Sequence, residues 1–275
     1  MSAGHWTAVR VRTTTDRSAV VNALFEVGAE SVQELEDGMV THILDVDRVV
    51  VSATLARADR GATVEYAPTP TVDWSKEWRS RIAAHRLGTL VVTPPWRADE
   101  FSAAERIVIE PGMAFGTGEH ETTRGVIRLL QRVIRENDTV ADLGAGSAVL
   151  AIAAAKLGAS RVIAIELDED AIDNAEQNVV ANGVASRVSV IQGDAAVLLP
   201  LVAPVRVVVA NIVSSVLLEL LPVIDRALAQ DGVAILSGVL RDERHDMERA
   251  LSAAGWRVEE IDEEGQWWSA TIVRR

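Results

Sequence analysis

The chain contains no cysteine. That absence excludes disulfides, thiolate zinc sites and cysteine nucleophiles together. Histidine is scarce as well: the five present show no metal-ligand spacing, so no metal is expected. No uninterrupted apolar run approaches the length that spans a bilayer, and the opening MSAGHWTAVRVRT has no apolar signal core. A soluble, cytoplasmic protein with no membrane partner is the expectation. Positive charge is also short, with 27 lysines and arginines against 40 acids and a net charge of −13. Enzymes that grip nucleic-acid backbone need a basic face, so direct nucleic-acid binding is not expected. Such acidity suits a lysine-rich partner or a cationic ligand, although it also simply confers solubility. What is present is ample apolar material: 48% hydrophobic residues over 275 positions, enough for one large domain and a small one.

The stretch Thr139–Glu166 organises the rest. Thr139–Leu143 is a short apolar run, as a buried parallel strand would be. Gly144-Ala145-Gly146 breaks it, Ser147 is placed to cap a helix, and Val149–Leu157 supplies the helix body. Gly158 ends that helix, and Arg161–Ile165 forms a second buried strand closing on Glu166. Strand, glycine turn, helix and strand make half of a nucleotide-binding α/β sheet, with the ligand at the carboxyl ends of the strands. A dinucleotide fingerprint wants a third glycine where Val149 stands. S-adenosylmethionine (AdoMet) suits the pattern better, because it has no pyrophosphate to seat on a helix end. Glu166 is the natural acceptor for its ribose diol, and Asp142 places negative charge near its cationic end. Many α/β proteins use such a turn only to pack helix on strand.

Ahead of this stretch, Trp6–Ala67 reads as strand, helix, hairpin, helix and strand, with Asp16 and Asp47 as caps and Asp37-Gly38 at the hairpin. That order is the ferredoxin-like split fold. Pro68-Thr69-Pro70-Thr71 is the linker candidate, followed by a helix carrying Trp74 and Trp78 on one face. The expected organisation is a small α+β domain over 1–67, a linker with the Trp-bearing helix over 68–85, and the large domain over 86–275. Thr89–Thr93 and Arg106–Glu110 read as strands around Pro94-Pro95-Trp96. PGMAFGTGEHETT, Pro111–Thr123, then puts three glycines between a strand and a helix from Glu121 to about Arg135. This is more glycine than a turn needs, and it suggests a loop over a ligand, with Phe115 as its cover and Thr123 as a donor. His120 is a candidate base with no nucleophile or metal beside it, which favours a structural or substrate-shaping role.

After Glu166 the alternation continues. Asp168 caps a helix to about Asn182, and Arg187–Gln192 is a strand ending at Gly193-Asp194, where an acid meets an adenine amino group. Val205–Ala210 ends at Asn211-Ile212. A helix from Ser214 or Ser215 to Ala229, a strand over Gly232–Ser237 and a helix over Asp242–Ala254 follow. Trp256–Ile261 and Trp267–Val273 close as a hairpin, where a dehydrogenase would continue with another βα unit.

From about Asp73 onward the chain resembles the bacterial ribosomal protein L11 methyltransferases. The resemblance rests on Asp73-Trp74 with Trp78, EPGMAFGTGEHETT, DLGAGSAVLAIAAAKLGA and VVVANI ending at Ile212. It implies a seven-stranded, Rossmann-like AdoMet-dependent methyltransferase domain, preceded by a small ferredoxin-like domain that recognises the substrate. It also implies transfer of methyl groups to lysine side chains, the N-terminal amine or both on ribosomal protein L11; a monomer is the expectation. Phe115, Thr123, Gly144, Glu166 and Asn211 fall on its cofactor-contacting positions, alongside Gly146 and Asp194 from the residue pattern; Asn211 also orients the amine. Ala148 stands where that family usually has glycine. Two other readings stay open on the residues: an AdoMet-dependent methyltransferase with another protein or small-molecule substrate, and a non-catalytic AdoMet-binding protein.

Overall fold

The computed structural model describes residues 6–13, 17–29, 31–35, 38–68, 82–111 and 115–275. The chain divides into two compact units, Met1–Arg79 and Ser80–Arg275. The expected cap Asp16, the hairpin residue Asp37 and the helix bearing Trp74 and Trp78 lie outside the described residues.

The first unit runs β1 (Trp6–Arg12), α1 (Arg17–Glu26), β2 (Val32–Leu35), β3 (Gly38–Leu44), α2 (Arg48–Ala58) and β4 (Thr63–Pro68). Its antiparallel sheet has the order β2-β3-β1-β4, as a ferredoxin-like split fold requires. Period-two alternation along β1 turns Val9 and Val11 to one face, where they are buried with Leu24, Met39, Ile43 and Leu55. Asp47 caps α2 as its sequence position predicts, accepting from the Val49 and Val50 N–H groups.

The second unit opens with a small sheet of β5 (His85–Leu87), β6 (Leu90–Thr93) and β7 (Arg106–Val108). The β5–β6 hairpin was not evident from the sequence, because a three-residue strand carries almost no periodicity. Seven strands then form the main sheet: β8 (Thr139–Leu143), β9 (Arg161–Glu166), β10 (Val188–Gln192), β11 (Val205–Asn211), β12 (Leu228–Leu240), β13 (Trp256–Glu264) and β14 (Trp267–Arg274). Their order is β10-β9-β8-β11-β12-β14-β13, parallel except at β14. Chain direction across the sheet reverses beside β8, and a crevice opens at such a switch point.

Six helices flank the sheet: α3 (Glu121–Val133), α4 (Val149–Lys156), α5 (Glu169–Ala181), α6 (Ala195–Val202), α7 (Ser214–Ala227) and α8 (Arg244–Ala253). The first three bury Ile127, Leu130, Ile152 and Val179 with Val140, Val207 and Val209. The others bury Leu217, Ile224 and Met247 with Leu143, Val208 and Ala210. Adjacent residues of one strand thus serve opposite layers, so the buried strands read as unbroken apolar runs. Helix α6 escaped the sequence reading because its body AAVLLPLV is apolar throughout, carries Pro200 and shows no amphipathic period. Several ends also moved: α7 stops at Ala227 rather than Ala229, β7 at Val108 rather than Glu110, β13 runs on to Glu264 rather than Ile261, and β12 runs 13 residues where only Gly232–Ser237 was expected. Among the described residues, no helix is long and apolar enough to cross a membrane.

Candidate active site

The glycine turn after β8 is built by backbone geometry. Gly144 has φ 69°, and its N–H and that of Ala145 both donate to the Ile165 carbonyl at 2.9 and 3.1 Å. A Cβ on Gly144 would lie 2.5 Å from Ile212 Cγ2, so glycine is needed for space as well as conformation. Gly146, at φ 51°, donates its N–H to Glu166 Oε2 at 2.7 Å. A Cβ there would meet the Phe115 carbonyl oxygen at 2.5 Å.

Ser147 corrects the expected cap. Its hydroxyl donates to the Gly116 carbonyl at 2.7 Å, and its N–H to the Phe115 carbonyl at 2.9 Å. The residue next to α4 is Ala148, which sits in the left-handed region at φ 62° with no side-chain cap. Asp142 serves the helix start instead: its Oδ2 accepts from the Ala151 N–H at 3.0 Å. That carboxyl is fully buried, and Oδ1 has no hydrogen-bond partner among the described residues. Burial pushes its pKa up to about 7, against the pull of the Ala151 hydrogen bond and with a further push from Glu166. The negative charge expected of Asp142 is therefore the one most strongly resisted by its surroundings.

Two cavities open at the carboxyl ends of the strands. The larger, about 590 Å³, is lined by Gly144, Glu166, Leu167, Asp194, Ile212 and Val213 among others. The smaller, about 240 Å³, is lined by Phe115, His120, Thr122, Asn211, Gly238 and Trp267. Ile212 and Val213 line both. The candidates from sequence thus divide: Gly144, Glu166 and Asp194 in the larger cavity, Phe115 and Asn211 in the smaller. Gly146 and Thr123 belong to neither lining. Gly146 ties the turn to Glu166, while Thr123 is fully buried with its hydroxyl lacking a partner among the described residues.

Glu166 is well furnished with donors, since Oε1 also accepts from the Leu167 and Asp168 N–H groups at 2.8 and 2.9 Å. Asp194 accepts from the Ala196 N–H at 2.8 Å as the cap of α6. His120 proves to be the cap of α3, with its side chain accepting from the Thr122 N–H. Its ring stands 5.1 Å from Phe115 and 5.0 Å from Trp267. Sequence reading missed Trp267 as a site residue, because strand alternation accounts for a tryptophan at a hairpin start without invoking a site.

The larger cavity fits AdoMet. It has the size of a small-molecule site, apolar walls, and carboxylates at the ends of two neighbouring strands. Gly144 keeps bare backbone at its wall, and the Asp142 Oδ1, without a partner among the described residues, lies in the strand that ends at the lining residue Leu143.

Residues 13–275 match the family model described as Ribosomal protein L11 methyltransferase (PrmA). A ribosomal protein L11 methyltransferase from Pelotomaculum thermopropionicum is 41% identical over 223 residues, covering 79% of this chain and 71% of that protein. One from Clostridium perfringens is 36% identical over 208 residues, covering 74% and 65%. Among solved structures, a ribosomal protein L11 methylase from Lactobacillus delbrueckii subsp. bulgaricus superposes with a TM-score of 0.63 at 31% identity, covering 70% of this chain and all of that one.

Proposed function

The chain belongs to the ribosomal protein L11 methyltransferase family, and from that premise we propose that it transfers methyl groups from AdoMet to amines of ribosomal protein L11, on lysine side chains, the N-terminus or both. The observation that carries this reading is the meeting of two cavities at Ile212 and Val213, with Asn211 in the wall of the smaller.

When bound, AdoMet supplies a methyl group on a positively charged sulfur that departs as a neutral thioether. This chain's residues bind and aim. Glu166 accepts from the ribose hydroxyls and Asp194 from the adenine amino group. Gly144 leaves backbone open to the ligand, Gly146 acts on it through Glu166, Phe115 covers it from the adjoining cavity, and the buried Thr123 hydroxyl has no hydrogen-bond partner among the described residues. A lysine amine, with pKa near 10.4, must lose its proton before its lone pair can attack. Among the described residues, the smaller cavity has aromatic, amide, hydroxyl and imidazole groups in its wall and no carboxylate to hold an ammonium, so burial there favours the neutral amine. Asn211 and the adjoining backbone carbonyls accept from that amine and turn its lone pair toward the larger cavity, and its proton leaves to water.

The small domain over 1–67 recognises the substrate protein, and residues 68–85 tether it, raising the effective concentration of the chosen amine. The net charge of −13 supports a basic protein partner rather than nucleic acid, and we take the enzyme to work as a monomer in the cytoplasm. Incubation with AdoMet and recombinant L11, read by mass spectrometry of its peptides, tests the reading. Wild type should add methyl groups to amines. Asn211→Ala should lose transfer about a hundredfold while AdoMet affinity falls less than about tenfold. Methylation confined to carboxylates or hydroxyls, or none on L11, would refute it.

A further inference from the structure

The loop from Phe115 to His120 walls the smaller cavity, and different elements hold its two ends. At the first end, Ser147 binds the Phe115 and Gly116 carbonyls. At the second, Arg124 Nη1 donates to the Glu119 carbonyl. Arg124 is itself clamped: Nε and Nη2 both donate to Glu264 Oε1, at 2.9 and 2.5 Å. The other Glu264 oxygen accepts from Arg128 Nη2 at 2.7 Å. Glu264 ends β13 and pairs with Trp267 across the Gly265-Gln266 turn. Trp267 in turn lies 5.0 Å from the His120 ring. The terminal hairpin thus grips the His120 segment twice, through Arg124 on its backbone and through Trp267 on its ring.

Packing of α3 against β13 does not require this arrangement. Arg128 with Asp262, at 2.7 Å, and Arg132 with Glu260, at 3.5 Å, already join the two elements. Of these three arginines, Arg124 is the one that bonds to the loop, and its side chain is 15% exposed. Its guanidinium fork serves both directions at once, which a single-point cation does less well. The hydrogen bond from Arg124 also holds the Glu264 carboxyl below the usual range, so the pair is charged at neutral pH.

We propose that Arg124 and Glu264 are positioning residues for methyl transfer: their ion pair fixes the Glu119–His120 segment, and through it the aromatic wall of the acceptor cavity. This rests on the smaller cavity being the amine site. The pair lies on the acceptor side, so its loss should lower kcat and leave cofactor affinity alone.

The test uses the full chain with Arg124→Met, Glu264→Gln and, as control, Arg132→Met. Misplacing a reacting group by about 1 Å costs up to about a hundredfold, so the first two should lower kcat for L11 about ten- to a hundredfold. Their AdoMet Kd should stay within about twofold of wild type, and Arg132→Met should match wild type throughout. In a His120→Ala background, Arg124→Met should remove little further activity, because both act through one wall. Wild-type kcat in Arg124→Met, an equal fall in Arg132→Met, or additive losses with His120→Ala would each overturn the proposal. If wild type binds AdoMet yet does not methylate L11, the functional reading has failed. The positioning is then judged by NMR of the His120 ring, flanked by Phe115 and Trp267: its resonances should move in Arg124→Met and not in Arg132→Met, and unmoved resonances overturn it.

Discussion

Replacing Glu166 by glutamine tests the cofactor site at a residue whose side chain is already engaged. Its two oxygens accept from three backbone N–H groups, those of Gly146, Leu167 and Asp168. Alanine would strip all three and loosen the glycine turn, so a weak-binding Glu166→Ala variant would be ambiguous. Glutamine keeps the shape and one carbonyl oxygen for Leu167 and Asp168. Its amide nitrogen then faces the Gly146 N–H, donor against donor, at a cost of about 1 kcal/mol. In a unit of this size that lowers Tm by about 2–4 °C, which leaves the protein folded. The ligand-side loss is larger. A hydrogen bond to a charged acceptor contributes about 1.5–3 kcal/mol, so AdoMet affinity should fall about ten- to a hundredfold. Calorimetry with S-adenosylhomocysteine and its 2′-deoxy counterpart separates the two terms. Wild type should lose affinity when the hydroxyl is removed, and Glu166→Gln should lose little more. Equal losses in both proteins would refute the assignment of Glu166 to the ribose.

The same geometry carries three further expectations. The Asp142 carboxyl is pushed up to about 7 by burial, so the folded state holds this proton more tightly than the unfolded one and stability falls as pH rises from about 4 to about 7. Asp142→Asn removes that slope and should gain on wild type between urea titrations at about pH 5 and about pH 8; a constant difference would refute it. Ala148→Gly relieves a left-handed alanine worth about 1–2 kcal/mol but gives up a buried methyl and adds unfolded-state freedom, about 0.8 and 0.4–1 kcal/mol, so stability should stay within about 1 kcal/mol of wild type and AdoMet binding should be equal or tighter; clearly weaker binding in a folded variant would show the methyl to be part of the site's packing. A chain starting near Thr71 should bind AdoMet almost normally, lose most transfer to L11 and lose far less with short peptides; normal transfer to L11 would remove the recognition role from the small domain.

How much of this was legible before the structure depended on what each residue's signal was made of. Strands β8, β9 and β11 and helix α5 announced themselves through apolar runs and an aspartate cap. The seven-stranded sheet with its terminal hairpin followed from the break in βα alternation after Ala254. Glu166 was legible as an acid closing a buried strand and Asp194 as one following a strand end after Gly193, although β10 proves to be a largely exposed edge strand. Local tertiary exchange was not. Ser147 has the composition of a cap and sits where one belongs, yet its hydroxyl is taken by the Gly116 carbonyl, 31 residues away, and Asp142 caps from the strand behind. His120 has the composition of a base and works as a cap. The Arg124–Glu264 pair spans 140 positions, and no local pattern specifies a contact at that separation.

The structure also changes what the glycine-rich loop is for. Taken by itself, a glycine turn cradles a ligand, and the second glycine-rich segment is a cover over it. In the folded chain the two are one piece: Gly146 lacks a Cβ because the Phe115 carbonyl occupies that space, and Ser147 bonds to both Phe115 and Gly116. The same Gly146 N–H reaches Glu166 in the larger cavity. Three hydrogen bonds from the adjacent Gly146 and Ser147, one to Glu166 and two to Phe115 and Gly116, therefore tie the carboxylate assigned to the ribose and the loop that walls the acceptor cavity to one turn. That loop is continued by Arg124 to the terminal hairpin. The links at Glu166, Phe115, Gly116 and Glu119 each have a backbone group at one end at least, whereas the Arg124–Glu264 link joins two side chains. Glu166 in the larger cavity and Phe115 in the acceptor wall thus share the Gly146-Ser147 segment, whereas Arg124 and Glu264 brace the opposite end of the loop, which is why their loss should act on kcat and not on AdoMet affinity.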